Sequence, residues 1–199
     1  MSTFLEGVGS IGVACTLAAL VPAVALVLVA RKARLTVALS YLVGVTLLTW
    51  ARAAGHWQME LSGVMVFVAA ALAASTFVLA WRAPGPASWS AAGSGVVAGA
   101  LAGWLWRPCV GPKLGEILNS ADTEAARTLG LMLVYMAGAL LPAVLLAVLP
   151  HALPAIRRFL DSLSVAAVGG VIGVAYAITL ATGRYDDLIG ELYRMATDA

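Results

Sequence analysis

The chain has 199 residues, of which 62% are hydrophobic and only 11% charged, for a net charge of +2. Charge this sparse does not cover the surface of a soluble domain, so composition places the chain among integral membrane proteins. A small net charge with no basic stripe and interleaved aromatics argues against nucleic acid as a partner, and two cysteines, Cys15 and Cys109, make neither a secreted disulfide framework nor a zinc spacing.

The N-terminal stretch "MSTFLEGVGS" lacks a basic segment and carries Glu6, so the first apolar run reads as a retained span rather than a cleaved signal peptide. A spanning helix needs about 20 mostly apolar residues. Six runs meet this, near 7–30, 35–54, 61–81, 96–120, 127–149 and 163–182. In the fourth, apolar character begins near Ala91, and its first part is expected at the interface or tilted into the membrane. The loops after the first, third and fifth runs carry Arg31, Lys32 and Arg34, then Arg82, then Arg157 and Arg158. The opposite side holds Glu6, an Arg52/Glu60 loop, Asp122 and Glu124 with Arg127, and an acidic tail with Asp186, Asp187, Glu191 and Asp198. By the positive-inside rule both termini are extracytoplasmic, and Trp50, Trp57, Trp81 and Trp89 fit interfacial belts. His56 and His151 fall on opposite sides, which separates them as metal ligands.

Pro84-Gly85-Pro86-Ala87-Ser88 is a linker midway along the chain. It divides residues 1–83 from 91–183, with 84–90 between them and a tail over 184–199. A shift of 94 positions places Cys15 on Cys109, Tyr41 on Tyr135 and Gly44 on Gly138. With three spans per half, a duplication would be inverted across the membrane. Chance recurrence of glycine and aromatic residues is the competing explanation. The expected fold is therefore an all-α membrane protein of six transmembrane helices, arranged as two inverted three-helix repeats. Tyr41 and Tyr135 are either cavity-lining residues or aromatics packed beside small residues. Gly169, Gly170 and Gly173 read as a close helix contact, and the amphipathic tail "YDDLIGELYRMATDA" reads as lying on the outer surface.

Chemistry concentrates in "WRPCVGPK", residues 106–113. Pro108 and Pro112 each remove a backbone donor, and Gly111 loosens the chain between them. Such backbone survives in a membrane only where protein or a water-filled cavity surrounds it. Cys109 is then either an inert small hydrophobe or a reactive thiol, which needs access and a stabilised thiolate.

"WRPCVGPKLGEILNSA" resembles the fourth-span motif of the CcdA/DsbD transmembrane thiol–disulfide oxidoreductases, W-[TS]-P-C-x-G-P-x-L-x-x-I-L, through Trp106, Pro108, Cys109, Gly111, Pro112, Leu114, Ile117 and Leu118. "LVYMAGALLPAVLL" is similar to the family's fifth span, with Tyr135, Gly138 and Pro142 in place. The resemblance covers most of the chain and is specific over residues 104–145. It implies a relay in the bacterial cytoplasmic (inner) membrane. Cytoplasmic thioredoxin reduces a Cys15–Cys109 disulfide, and the dithiol reduces an extracytoplasmic thioredoxin-like acceptor serving cytochrome c maturation or periplasmic disulfide reduction. No metal or organic cofactor is needed for thiol–disulfide exchange.

Two departures from the family pattern stand out. The family's first span reads P-C-x-x-P, but here Ala14 precedes Cys15 and Pro22 is the only nearby proline. A regular helix around Cys15, kinked about two turns later, is expected. Arg107, Lys113 and Glu116 stand where the family is usually uncharged. Arg107 or Lys113 either stabilises the Cys109 thiolate or snorkels to an interface, and Glu116 is spaced to pair with Lys113 on a helix. The alternative function is a small inverted-repeat transporter that binds an anionic or amphoteric substrate at these charges, with cysteines that are not redox-active.

Overall fold

A computed structural model describes residues 2–12, 14–55, 63–105, 116–117, 124–185, 187, 190–191 and 194, and every described element is helical. In chain order these are α1 (Ser2–Gly9), a 3-10 turn (Ser10–Gly12), α2 (Ala14–Val29), α3 (Arg34–Gly55), α4 (Val64–Trp81), α5 (Trp89–Leu105), α6 (Ala125–Ala139), α7 (Leu141–Ala152), α8 (Pro154–Leu160) and α9 (Leu163–Ala181). Three of them, α3, α4 and α9, are long and apolar enough to cross a membrane. The pair α6–α7 makes a fourth candidate span, bent by 68° at Leu140.

Two sequence expectations are corrected, and a third run proves to be a bent pair of helices. The first apolar run is not a regular helix around Cys15: α1 ends at Gly9, a 3-10 turn follows, and α2 restarts at Ala14, one residue before Cys15. Pro22, where a kink is expected, lies inside α2. The physical cause is local. Gly9 and Gly12 weaken the helix there, and the Ser10 hydroxyl donates to the Gly7 carbonyl at 2.7 Å, satisfying an acceptor at the break. The fifth apolar run is likewise two helices, because Pro142 suits the first turn of a new helix rather than the interior of one. The fourth begins at Trp89, not near 96, since Ser88 caps it through its carbonyl and hydroxyl, 3.1 and 3.3 Å from the Ala91 amide.

Lipid offers no hydrophobic drive for helix association, so close backbone approach through small residues must supply the contact. The central pair here is α3 against α5. Gly95, Gly99 and Gly103 recur every four residues along one face of α5 and rest on the α3 backbone. A methyl group on Gly99 would lie 2.9 Å from the Val45 amide nitrogen, and one on Gly103 would lie 2.8 Å from the Val45 carbonyl. From the α3 side, Gly44 would meet the Ala100 nitrogen at 3.0 Å. Elsewhere Gly169 sits against the Ala25 carbonyl of α2 and Gly173 against the Phe77 ring, while Gly170 has open space beside it. Buried hydroxyls in these helices bond back to their own turn, as with Thr49 to the Val45 carbonyl at 2.7 Å and Thr76 to the Ala73 carbonyl at 2.7 Å.

One end of the bundle collects the basic loops. Arg34 is buried, with Nη1 2.9 Å from Asp161 Oδ1 and Nη2 donating to the Leu160 carbonyl at 2.8 Å. Arg31 donates to the Asp161 carbonyl, and Arg157 Nε lies 3.6 Å from Asp161 Oδ2. The α2–α3 loop and the α8–α9 turn are thereby tied together. At the far end of α9, Thr182 and Gly183 close the helix through bonds to Ile178 and Leu180, with Gly183 at a φ of 68° that favours glycine.

Two substitutions on one helix test the glycine contact. Gly99→Ala is expected to lower stability by about 1–3 kcal/mol, because the methyl meets backbone that cannot step aside. Gly93→Ala, with nothing within 4 Å, should be neutral or stabilising by up to about 1 kcal/mol. Thermal unfolding in detergent separates the two. Arg34→Met should cost about 1–3 kcal/mol by the same assay, below the range for a wholly buried pair because the Asp161 side chain is 35% exposed.

Candidate functional site at the first helix break

The residues that the sequence singles out fall in two groups. Arg107, Pro108, Cys109, Gly111, Pro112 and Lys113 lie outside the described residues, as does the side chain of Cys15. The Cys15 backbone, Tyr41, Glu116, Ile117 and Tyr135 are described.

Cys15 is the second residue of α2, immediately past the break, and its neighbour Thr16 is buried. One turn further on, the Tyr41 hydroxyl of α3 donates to the Ala19 carbonyl at 2.7 Å. Tyr41 is 1% exposed, and its own backbone is the surface on which Gly99 rests. It thus joins α2, α3 and α5 in one contact, holding the start of α2 against the central helix pair. Tyr135 occupies the related position on α6: it is buried, and its carbonyl faces Gly7 of α1.

The α1–α6 contact reproduces the α3–α5 contact in detail. On one side Gly99 approaches Tyr41 and Val45 while Gly44 approaches Val96 and Ala100. On the other, Gly7 approaches Tyr135 and Ala139 while Gly138 approaches Phe4 and Val8. A shift of 94 relates Tyr41, Gly44 and Val45 to Tyr135, Gly138 and Ala139, and a shift of 92 relates Phe4, Gly7 and Val8 to Val96, Gly99 and Ala100. The helix preceding each cysteine therefore packs, through the same glycine pair, on a helix of the other half of the chain.

Arg52 was read from the sequence as a loop residue. It lies instead in the last turn of α3, where its guanidinium donates to the Gly103 carbonyl at 3.0 Å and to the Trp104 carbonyl. A cation there satisfies the open carbonyls at the C-terminal end of α5 and complements the helix dipole. That end leads directly into residues 106–113. No short motif marks Arg52; the available signal is a basic residue at the end of an apolar run facing a glycine-rich helix. Trp50 Nε1 donates to the Ala125 carbonyl at 3.2 Å, which ties the same end of α3 to the start of α6. Within the resemblance motif Ile117 is buried in the main core, whereas Glu116 is exposed. Among the described residues no three His, Cys, Asp or Glu side chains gather as metal ligands.

Comparison with known protein families, with curated proteins and with solved structures returned no match for this chain.

The two tethers around the break make separable predictions. Tyr41→Phe should cost about 0.5–1.5 kcal/mol through loss of the bond to Ala19. Arg52→Leu should cost roughly 1.5–3 kcal/mol, since it removes charged donors from two carbonyls, with partial recovery in Arg52→Lys. Thermal unfolding in detergent measures both.

Proposed function

We propose that the chain is a membrane thiol–disulfide electron carrier of the CcdA/DsbD kind, with Cys15 and Cys109 as its redox pair. The family reading rests on the motif over residues 106–118 and on the related stretch at 133–146. The structural observation that carries it is the interruption of the first span immediately before Cys15. A cysteine in the middle of an intact lipid-facing helix is poorly placed for attack by another protein's thiolate. One at a helix break, where irregular backbone must line protein or a cavity, is better placed for exchange.

The fold proposed with this function has six spans in two inverted three-helix repeats. The first is α1 with α2, and the fourth is α5 with the residues that follow it. The matched glycine contacts of α1 on α6 and α5 on α3 support this arrangement. So does the position of each cysteine just beyond the end of one of these packed helices, α1 at Gly9 and α5 at Leu105.

In the proposed cycle a thiolate of cytoplasmic thioredoxin attacks one sulfur of the Cys15–Cys109 disulfide. The S–S bond breaks, a mixed disulfide forms, and the other cysteine leaves as a thiolate that takes up a proton. The second thiol of thioredoxin loses its proton and displaces the bound cysteine, leaving thioredoxin oxidised and the membrane pair reduced. The same two steps, run toward an extracytoplasmic thioredoxin-like acceptor, return the pair to a disulfide and deliver two electrons and two protons. The setting is a bacterial-type cytoplasmic membrane with both termini extracytoplasmic, in keeping with the basic residues gathered at one end of the bundle. Arg107 or Lys113 would favour the Cys109 thiolate.

Differential thiol labelling in membranes, before and after reductant and with thioredoxin supplied, tests the reading. A reversible Cys15–Cys109 disulfide is expected, and Cys15→Ser or Cys109→Ser should each reduce electron delivery to background. Thiols that stay free and unreactive, or full function in the double Ser variant, would overturn it and favour a transporter. A Cys109 alkylation pH profile unchanged by Arg107→Met and by Lys113→Met would remove the thiolate role of these cations.

A further inference from the structure

Two hollows on the bundle meet at Trp81. The first, about 950 Å³, lies at the basic end and is bordered, among the described residues, by five cations, Arg31, Lys32, Arg34, Arg82 and Arg157, and by one carboxylate, Asp161. That carboxylate is already engaged by Arg34 at 2.9 Å and Arg157 at 3.6 Å. Arg34 and Arg31 also spend donors on the carbonyls of Leu160 and Asp161. Lys32 and Arg82 are exposed, and among the described residues neither has a carboxylate within ion-pair distance. A concave surface with uncompensated charge of one sign concentrates ions of the other.

The second hollow, about 910 Å³, is an apolar trough between α4 and α9, lined by side chains such as Val29, Phe77, Leu163 and Val174. Gly170, with nothing within 4 Å, leaves its floor open. Along α4 the trough runs from Ala70 to Trp81. At 1.5 Å per residue that is about 16 Å, close to one leaflet's share of a hydrocarbon core about 30 Å thick. Trp81 borders both hollows, and a tryptophan at a helix end suits the headgroup level.

We propose that the two hollows together form a site for one anionic phospholipid, with the phosphate against Lys32 and Arg82 and an acyl chain along the α4–α9 trough. A free anion would use only the first hollow, and a zwitterionic lipid would bring a cation of its own to a basic surface. The continuity of charge and apolar surface matches a ligand that has both parts in that order.

Native mass spectrometry of the intact protein, released from detergent micelles, reads retained lipid directly. The probes are phosphatidylglycerol, phosphatidylcholine with the same acyl chains, and inorganic phosphate as competitor. Phosphatidylglycerol is expected to be retained at least about tenfold more strongly than phosphatidylcholine and to resist millimolar phosphate. The double variant Lys32→Gln/Arg82→Gln should lose that preference. Gly170→Leu, whose Cβ enters open space beside the trough, should weaken retention of both lipids. Both variants should unfold at the wild-type temperature in lipid-free detergent. Equal retention of the two lipids, unchanged preference in the double variant, unchanged retention in Gly170→Leu, or displacement by phosphate would each overturn the proposal.

Discussion

Close backbone contact between α3 and α5 is the constraint around which the rest of this protein is arranged. In a membrane, side chains gain little by leaving lipid for a neighbouring helix, so association depends on how near two backbones can come. Gly95, Gly99 and Gly103 set that distance from α5, and Gly44 sets it from α3. Tyr41 is buried by this approach and, once buried, places its hydroxyl on the Ala19 carbonyl of α2. The position of α2, and so of the Cys15 backbone, follows from the helix pair. The Arg52 cap on α5 depends on the same approach, since it needs the end of α3 beside the end of α5.

A second copy of this contact, α1 on α6, has a different consequence. α1 packs on α6 through Gly7 and Gly138 while α2 is tied to α3 through Tyr41, so the helices on either side of the Ser10–Gly12 break have different partners. In the proposed redox cycle this break sets Cys15 in the first turn of α2, without the flanking proline of the family pattern. In sequence, Gly9 and Gly12 precede the first cysteine, while Pro108 and Pro112 flank the second.

The two ends of the bundle divide their charge differently. At one end the Asp161 carboxylate engages Arg34 and Arg157 and its backbone carbonyl accepts from Arg31, while Lys32 and Arg82 have no carboxylate partner among the described residues. At the other end Arg52 is spent on helix carbonyls and Arg127 pairs with Glu124 at 2.8 Å. Five of the chain's twelve Lys and Arg residues border this face, three of them engaged by Asp161, and the proposed lipid site there is independent of the redox proposal.

Hydropathy, loop charge and the 106–113 motif were legible along the chain, because each depends on residues close in sequence: an apolar run long enough to span, cations just past its end, two prolines around a cysteine. By itself the sequence determined a helical, membrane-embedded class of protein and the candidate thiols. Ala14 in place of proline suggested a regular helix around Cys15, but the helix is interrupted at Ser10–Gly12, where glycines rather than proline weaken it. Arg52 looked like a loop residue because its partners lie on another helix. Only the tertiary structure decided where the spans break, which glycines carry packing, and which cations remain unpaired. Lipid treats all apolar helices alike, so these choices come from shape complementarity between segments far apart in the chain.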